Sequence, residues 1–398
     1  MECSGAFLPD WAGAVLADCA EEFARFDGAA LANTRRVLDA FARRRVSDRH
    51  FQASTGYGYH DLGRDTLDAL WADVFGAEDA LVRTHFVSGT HAIGCALRAV
   101  CPQGGYLSLV GEPYDTLRGV MPYRSVPARE DGTPDAEGIE RALRARAYPA
   151  VFIQRSRGYS ARGTLDVAGI GELIRLAKSA SPGISVVVDN CYGEFCETRE
   201  PPAAGADLTA GSLIKNPGGS LAPCGGYIAG RAELVNRAAE ALTVPGIGRE
   251  CGAVPGGARL LYQGLFLAPH MTAQALKTAA FAARALSAMG YEVSPKPGEP
   301  CGDLIQSVVF GNAETMLRFV RGIQAASPVD SFVTPEPWAM PGYADKVVMA
   351  AGTFVQGSSI ELSCDAPMRE PYRAYLQGGV PFEAGLLGVM RAVEEVRT

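Results

Sequence analysis

Hydrophobic and polar positions follow two different periods along this chain. Residues 13–48 carry apolar side chains at helical spacing, and a second helical pattern over 66–76 ends at Gly76. Beyond residue 80, short apolar runs alternate with further helical patterns. Short strands separated by helices are typical of an α/β protein with a parallel or mixed sheet.

Six apolar runs are predicted as strands of this sheet. They are 80–88, 106–111, 150–155, 184–193, 206–215 and 224–230. The stretch 232–286 is largely helical, and the remainder of the chain mixes strands and helices as a smaller α+β domain would. We therefore expect an N-terminal helical segment with an interface loop (1–60), a large domain (61–286) and a small C-terminal domain (287–398).

Composition and charge exclude several classes of protein. The 398 residues are 47% hydrophobic and carry a net charge of −7, which argues against nucleic acid as a partner because phosphate binding needs a basic face. No apolar run is long enough to cross a membrane, and the N-terminus has no basic region typical of a signal peptide. Ten cysteines without CxxC spacing indicate reduced thiols in a cytoplasmic protein and no zinc site.

Three sequence features are predicted to lie close together at one edge of this α/β sheet. Asp189 ends the β-branched run VVVD, and open α/β sheets bind ligands beyond the carboxyl ends of their strands. Ser88, Gly89 and Thr90 lie between a predicted strand and a helix, where hydroxyl and N–H groups can hold a phosphate. Lys215 follows an apolar run and precedes the turn NPGG.

Each feature alone has an ordinary structural explanation, but the set matches one cofactor. The aspartate can begin a turn, the serine and threonine can cap a helix, and the lysine can be exposed. Pyridoxal 5′-phosphate (PLP) needs a lysine at its aldehyde carbon, an acid at its pyridine nitrogen and a phosphate cradle. The chain supplies cradle, acid and lysine in that order, with Asp189 and Lys215 26 positions apart.

Two further residues are candidates for contacts with this cofactor. Tyr114 follows the next predicted strand and could stack on the pyridine ring, or be an ordinary turn tyrosine. Ser212 precedes the lysine by three positions and could contact the phosphate, or face solvent from a strand.

Long motifs along the chain carry a resemblance to a known family. The chain resembles the fold-type I PLP enzymes, and within them the methionine γ-lyase-type family often called aluminium-resistance proteins. The motifs include RVSDRHF (45–51), STGYGYHD (54–61), VSGTHAI (87–93), VDNCYGEF (188–195), GADLTAGSLIKNPGG (205–219) and GSSIELSCDAPMREPY (357–372). The resemblance implies a mostly parallel seven-stranded sheet in the large domain. It also implies a homotetramer of dimers whose active sites are shared between subunits.

The resemblance also implies roles for residues outside the trio. Tyr59 matches by position a tyrosine that reaches the neighbouring subunit's phosphate, and Arg64 takes the place of the arginine that accompanies it. A better-known branch of the family binds the substrate carboxylate with an arginine in an Arg-Leu-Ser run. Here that run reads Glu361-Leu362-Ser363, and Arg369 is the nearest replacement.

The implied activity is γ-elimination on a small L-amino acid by a PLP-dependent lyase. Lys215 would move the protons, and Tyr59 or Tyr114 would assist the leaving group. The segment after Tyr114 looks shortened, and Ser160-Ala161 stands where the family tends to carry an aromatic residue. These departures leave open a propargylglycine synthase-type reaction, which eliminates halide from a chlorinated allylic amino acid to give an alkyne. A catalytically silent regulatory or binding protein on the same fold is the third interpretation.

Overall fold

The computed structural model describes residues 8–340 and 343–397. Its ten described helices are α1 (Asp10–Asp18), α2 (Ala20–Arg43), α3 (Leu62–Phe75), α4 (Gly89–Val100), α5 (Ala136–Ala145), α6 (Val167–Ala180), α7 (Ala232–Leu242), α8 (Arg259–Ala288), α9 (Ala313–Ala325) and α10 (Phe382–Arg397). The twelve described strands are β1 (Asp79–Arg83), β2 (Tyr106–Ser108), β3 (Tyr123–Ser125), β4 (Ala150–Gln154), β5 (Ser185–Asp189), β6 (Leu208–Ser212), β7 (Gly226–Gly230), β8 (Glu292–Ser294), β9 (Gln306–Val309), β10 (Val347–Ala350), β11 (Ser363–Pro367) and β12 (Arg373–Gln377).

The first seven strands form one sheet in the order β1-β7-β6-β5-β4-β2-β3. Strand β7 runs antiparallel to both of its neighbours, and the other pairings are parallel. Helices α4 and α7 cover one face, while α3, α5, α6 and α8 cover the other. Strands buried on both faces read as continuous apolar runs, which is why the sequence revealed them. The prediction of a mostly parallel seven-stranded sheet is confirmed.

The last five strands form an antiparallel sheet in the order β10-β11-β12-β9-β8. One face packs on α8, α9 and α10 through alternating apolar residues such as Cys364, Ala366 and Leu376. On the other face, the residues between these apolar positions line a cleft. They include Ser363, Asp365, Arg373, Tyr375 and Gln377. This sheet and its helices confirm the smaller α+β unit expected near the C-terminus.

Several predicted boundaries differ from those in the structure. The helix predicted over 13–48 is two helices, α1 and α2, which meet at Cys19. Strands β3 and β12 and helix α5 were not predicted. Strand β12 escaped notice because its polar residues alternate toward the cleft, so its sequence RAYLQ has no apolar run.

No helix in the described ranges combines the length and apolarity that a membrane crossing requires. This includes α8, the longest of them at 30 residues.

The turn after Lys215 is tightly constrained. Strand β6 ends at Ser212, and Asn216–Gly218 forms one turn of 3-10 helix. A Cβ at Gly218 would lie 1.8 Å from the Leu213 carbonyl oxygen, so a side chain cannot fit there. The Asn216 amide donates to the carbonyl oxygens of Tyr192 and Glu194, which ties the turn to the loop after β5.

Candidate active site

A cleft of about 1070 Å³ lies between the carboxyl edge of the seven-stranded sheet and the small sheet. It brings together eight of the ten residues that the sequence proposed for the site. They are Ser88, Gly89, Thr90, Tyr114, Asp189, Ser212, Lys215 and Arg369. Tyr59 and Arg64 do not line the cleft of their own chain.

Lys215 lies half-buried in this cleft, three residues beyond the end of β6. Its Nζ lies 3.8 Å from the centre of the Tyr192 ring. Burial works against the ammonium form, but the neighbouring Cys191, Tyr192 and Asp189 raise the pKa of Lys215 well above its ordinary value. Burial also raises the pKa of Tyr192 to about 12, so this phenol is neutral near pH 7. Asp189 is therefore the group among these that can carry a counter-charge.

Asp189 is a buried carboxylate at the end of β5 with no basic side chain within ion-pair distance in the described ranges. Its Oδ1 accepts a 3.0 Å hydrogen bond from the backbone N–H of Cys191. Burial raises the pKa of this carboxyl, and the positive charge of Lys215 opposes that effect. A buried anion without an ionic partner is costly unless a ligand supplies the positive charge. A protonated pyridine nitrogen would do so.

The N-terminus of α4 forms a concave surface beside these two residues. The Ser88 Oγ caps the helix by accepting from the backbone N–H of His91 at 3.1 Å. A Cβ at Gly89 would come within 3.0 Å of the Ser212 Cβ, so a larger residue would crowd the approach of the helix to β6. Free N–H groups and the helix dipole favour an anion at such an end. These residues fit a phosphate.

Tyr114 joins the helix end to the middle of the cleft. Its hydroxyl donates to the Thr90 Oγ1 at 3.0 Å, and its backbone N–H donates to the Gln154 Oε1 at 3.1 Å. Burial, reinforced by the charge of Asp189, raises the pKa of Tyr114 well above its ordinary value. The ring is therefore neutral and firmly oriented, as a stacking partner for a flat cofactor would be.

A polar network buried beneath this edge holds the loop that follows Asp189. The Asn190 side chain accepts from the Arg155 guanidinium at 2.8 Å and donates to the Glu200 carboxylate at 2.9 Å. Nearby, the Tyr227 hydroxyl donates to Glu194, and burial raises the pKa of that carboxyl to about 8. These hydrogen bonds tie the loop that follows Asp189 to Arg155, Glu200 and Tyr227, which limits the freedom of that loop.

Arg64 and Tyr59 lie outside the cleft for different reasons. The guanidinium of Arg64 is buried and donates to the backbone carbonyls of Gly58, Glu250 and Gly252, so it is engaged within its own chain. The ring of Tyr59 is 57% exposed and stacks on Tyr57 at a centroid distance of 5.4 Å. The conformation therefore leaves Tyr59, but not the Arg64 side chain, available to a neighbouring molecule.

Three cleft residues were not identified from the sequence. Tyr192 lies against Lys215, Arg157 follows β4, and Asp365 comes from β11. Only Tyr192 had a local signal, since it follows Asp189 closely in DNCYG. Asp365 lies within the motif GSSIELSCDAPMREPY and Arg157 within QRSRGY, but nothing local in either motif indicates that these side chains face the cleft.

Arg157 is a buried cation with no carboxylate within ion-pair distance in residues 8–340 and 343–397, although the more distant charge of Asp303 favours its protonated form. Its Nη1 donates to the Ser307 Oγ at 3.0 Å, and its Nε is buried with no hydrogen-bond partner in the described ranges. Arg373 donates to the same hydroxyl at 3.1 Å. By contrast, Arg369 is half-exposed at the rim, pairs with Asp345 at 2.9 Å and donates to the Tyr159 carbonyl. Arg157 is therefore the better-placed receptor for an anion inside the cleft.

The fold and the cleft together define the fold-type I class of PLP-dependent architectures. The PLP-dependent protein YhfS of Escherichia coli has this fold, with a TM-score of 0.63 over 93% of this chain and 97% of its own, at 16% identity. The model of the methionine γ-lyase family matches residues 10–397. The chain belongs to that family.

Relatives of known sequence or structure agree with this membership. The uncharacterised protein YnbB of Bacillus subtilis (strain 168) is 45% identical over 98% of this chain and 97% of its own. A carbon–sulfur lyase involved in aluminium resistance from Clostridium novyi is 46% identical, with a TM-score of 0.92 over 97% of this chain and 95% of its own. A candidate cystathionine β-lyase involved in aluminium resistance from Listeria monocytogenes is 47% identical, with a TM-score of 0.93 over 97% and 99% of the two chains. The expected resemblance to aluminium-resistance proteins is confirmed.

Proposed function

We propose that this protein is a PLP-dependent carbon–heteroatom lyase that acts on an L-amino acid by γ-elimination. The observation that carries the proposal is the convergence of Lys215, Asp189 and the N-terminus of α4 in one cleft. Family membership and the carbon–sulfur lyase among the relatives support the same class of reaction.

The cleft residues fit PLP group by group. Lys215 would bind the aldehyde carbon, Asp189 would face the pyridine nitrogen, and Tyr114 would stack on the ring. Ser88, Gly89, Thr90 and Ser212 would hold the phosphate. When bound, PLP withdraws electrons from the substrate and so stabilises negative charge at its Cα.

The protein's own groups then have three tasks. The amine of Lys215, freed when the substrate's amine replaces it at the aldehyde carbon, would take the proton from Cα and carry protons at Cβ and Cγ. The buried carboxylate of Asp189 keeps a proton on the group it faces, since burial next to a cation favours an ion pair. Tyr114, or Tyr59 from a neighbouring subunit, would donate a proton to the departing group. With a sulfur leaving group, one water molecule is consumed and the products are a thiol, ammonia and a 2-oxo acid.

The substrate carboxylate needs a fixed cation, and Arg157 suits this role better than Arg369. An arginine binds both carboxylate oxygens at once, and the interaction is strongest where water is excluded. Arg157 is buried and has no ion pair within the described part of the chain, whereas Arg369 is exposed and already paired.

A second candidate reaction is elimination of halide from a chlorinated allylic amino acid, which gives an alkyne. The small residues Ser160 and Ala161 line the cleft and favour a substrate that differs from that of relatives with an aromatic residue there. The same proton transfers serve both reactions, and the leaving group distinguishes them.

A dimer with shared active sites would explain the exposed aromatic pair Tyr57 and Tyr59. Apolar rings at the surface are costly to leave in water, and they commonly mark an interface. We propose that Tyr59 enters the cleft of a neighbouring subunit, within a homotetramer built from two such dimers.

The first prediction concerns the attachment of the cofactor. Wild-type protein incubated with PLP and then treated with sodium borohydride should carry a phosphopyridoxyl group on Lys215, located by peptide mass spectrometry. Lys215→Ala should lose this group, the visible absorption band of bound PLP and turnover together, since no other lysine of the described ranges lines the cleft. Lys346→Ala, at an exposed lysine outside the cleft, should keep all three. Full activity of Lys215→Ala would refute the proposal.

The second prediction concerns the reaction. The holoenzyme should be incubated with methionine, cystathionine, homocysteine, cysteine and a γ-chlorinated allylic amino acid. It should release a thiol or a halide from at least one of them. The product masses should show that the group on Cγ has been lost together with a proton from Cβ. Retention of the amino group in the product would identify the alkyne-forming reaction. Transamination alone, or binding of PLP without any product, would contradict the γ-elimination proposal.

The third prediction compares the two arginines. Arg157→Met should raise KM for the preferred amino acid at least about tenfold, since a hydrogen-bonded ion pair to the carboxylate is lost. Arg369→Ala should change KM by less than about twofold, because this arginine is exposed at the rim. Unfolding temperatures of both variants should be measured, since Arg157 is buried. If Arg369→Ala raises KM strongly and Arg157→Met does not, Arg369 binds the substrate carboxylate, as the sequence predicted.

The fourth prediction tests the shared site. Tyr59→Ala and Lys215→Ala should each be inactive or nearly so, yet co-expression should restore up to about a quarter of wild-type activity, because half of randomly formed dimers are hybrids and each hybrid has one intact site. Co-expression of Asp189→Ala with Lys215→Ala should restore nothing, since both residues act within their own chain. If Tyr59→Ala and Lys215→Ala do not complement each other, Tyr59 acts within its own chain or outside the site.

A further inference from the structure

A second buried carboxylate faces the cleft from the wall opposite Lys215. Asp365 lies in β11, in register with Tyr375 of β12 and Met349 of β10, and all three side chains are on the cleft-facing side of the small sheet. The residue is buried, with 9% of its surface exposed. It takes no part in the chemistry proposed above.

The contacts of Asp365 are made by neutral groups. Its Oδ2 accepts from the Tyr159 hydroxyl at 3.0 Å and from the Gln377 Nε2 at 2.9 Å. Within residues 8–340 and 343–397, no arginine, lysine or histidine lies within ion-pair distance of it. Two neutral donors orient the carboxylate but do not compensate its charge.

Lys215 is the described cation whose field reaches Asp365, and it is already engaged. Burial raises the pKa of Asp365, while the charge of Lys215 opposes this effect. The same lysine also faces Asp189, and in the proposed function its amine is committed to PLP. Two buried carboxylates therefore share one cation that the reaction requires elsewhere.

Three other acids that line the cleft have partners of their own. Asp115 pairs with Arg118 at 3.1 Å, and Asp345 pairs with Arg369 at 2.9 Å. Glu112 accepts hydrogen bonds from Ser125 and Tyr123, and these bonds lower the pKa of its carboxyl. Asp365 differs from them in being deeply buried without an ionic partner.

Aromatic rings surround the same carboxylate. The Tyr159 ring lies 5.7 Å from that of Tyr343 and 5.2 Å from that of Tyr375, both at tilted angles, and all three line the cleft. Aromatic faces attract ammonium groups through their quadrupoles, most strongly where water is excluded. A buried carboxylate bordered by tyrosine rings is thus suited to a small organic cation.

We propose that Asp365 binds an ammonium group on the side chain of the amino-acid substrate, and that substrates with such a second amine are preferred. The inference rests on the proposed lyase function and names the substrate class within it. The α-amino group is an unsuitable occupant because it must reach the sheet edge beside Lys215, on the other wall of the cleft. A side-chain amine extends toward the small sheet instead.

The test uses two ligands of equal size that differ in one charge. L-Homocysteine carrying a 2-aminoethyl group on sulfur has the ammonium, and L-homocysteine carrying a propyl group replaces it with a methyl group. Dissociation constants come from the change in absorption of the bound PLP immediately after rapid mixing with holoenzyme, before turnover. Wild type should bind the aminoethyl ligand roughly 10- to 100-fold more tightly, as expected for a charge-assisted hydrogen bond.

The decisive variant is Asp365→Asn, because an amide can still accept from Tyr159 and loses only the charge. It should abolish the preference for the aminoethyl ligand and leave binding of the propyl ligand unchanged. Glu370→Gln removes an exposed acid at the rim of the same cleft and should keep the full preference.

Distinct outcomes separate this inference from the proposed function. Equal binding of the two ligands by wild type, or an undiminished preference in Asp365→Asn, would overturn the role of Asp365 while the lyase proposal stands. If Asp365→Asn binds both ligands equally more weakly and unfolds at a lower temperature, Asp365 only positions Tyr159. That result also overturns the proposed role of Asp365. If neither ligand changes the absorption of bound PLP, while unmodified methionine and cystathionine also leave it unchanged, the lyase proposal fails as well.

Discussion

The turn that follows Lys215 has no room for side chains at two positions, and the site depends on that restriction. A Cβ at Gly218 would lie 1.8 Å from the Leu213 carbonyl oxygen, and one at Gly219 would lie 2.3 Å from the Gly264 carbonyl oxygen in α8. Gly219 also has a φ of 55°, which other residues adopt only at a cost. Because the turn is held against α8, the chain leaves the sheet directly after Lys215 and the amine remains at the edge. The side chains proposed to act with the Lys215 amine come from other elements that end at the same edge of the sheet.

The cleft has two walls that arise from different patterns of burial. The seven-stranded sheet is covered on both faces, so it can offer a ligand only the ends of its strands and the loops beyond them. The small sheet is covered on one face, and its other face is free to carry polar side chains along the length of each strand. The first wall thus supplies the residues proposed to contact the cofactor. The second supplies residues spaced along a surface, which suits recognition of an extended side chain.

The sequence predicted the parts of the molecule that have local signals. Apolar runs revealed the central strands, and the position of Lys215 between an apolar run and a turn indicated its place at the sheet edge. Strand β12 was missed because three of its five residues, Arg373, Tyr375 and Gln377, face the cleft, a pattern that in isolation resembles a solvated loop. The burial of Arg64 depends on carbonyls at residues 250 and 252, which no local pattern reveals. Tyr159 and Asp365 are 206 positions apart, so their hydrogen bond exists only through the packing of the two sheets.

The charges inside the cleft constrain its ligand more closely than the family does. Among the residues that the structure describes, Arg157 is a buried cation with no carboxylate at ion-pair distance, and Asp365 is a buried carboxylate with no basic side chain at that distance. Either charge is costly to bury alone, so both are best explained by groups that a ligand brings. A carboxylate at one end of a substrate and an ammonium on its side chain would compensate the two charges together. Methionine would compensate only the first, because its side chain carries no charge. Since one fold serves many substrates, this complementarity, rather than the resemblance to methionine γ-lyases, should decide which amino acid the cleft accepts.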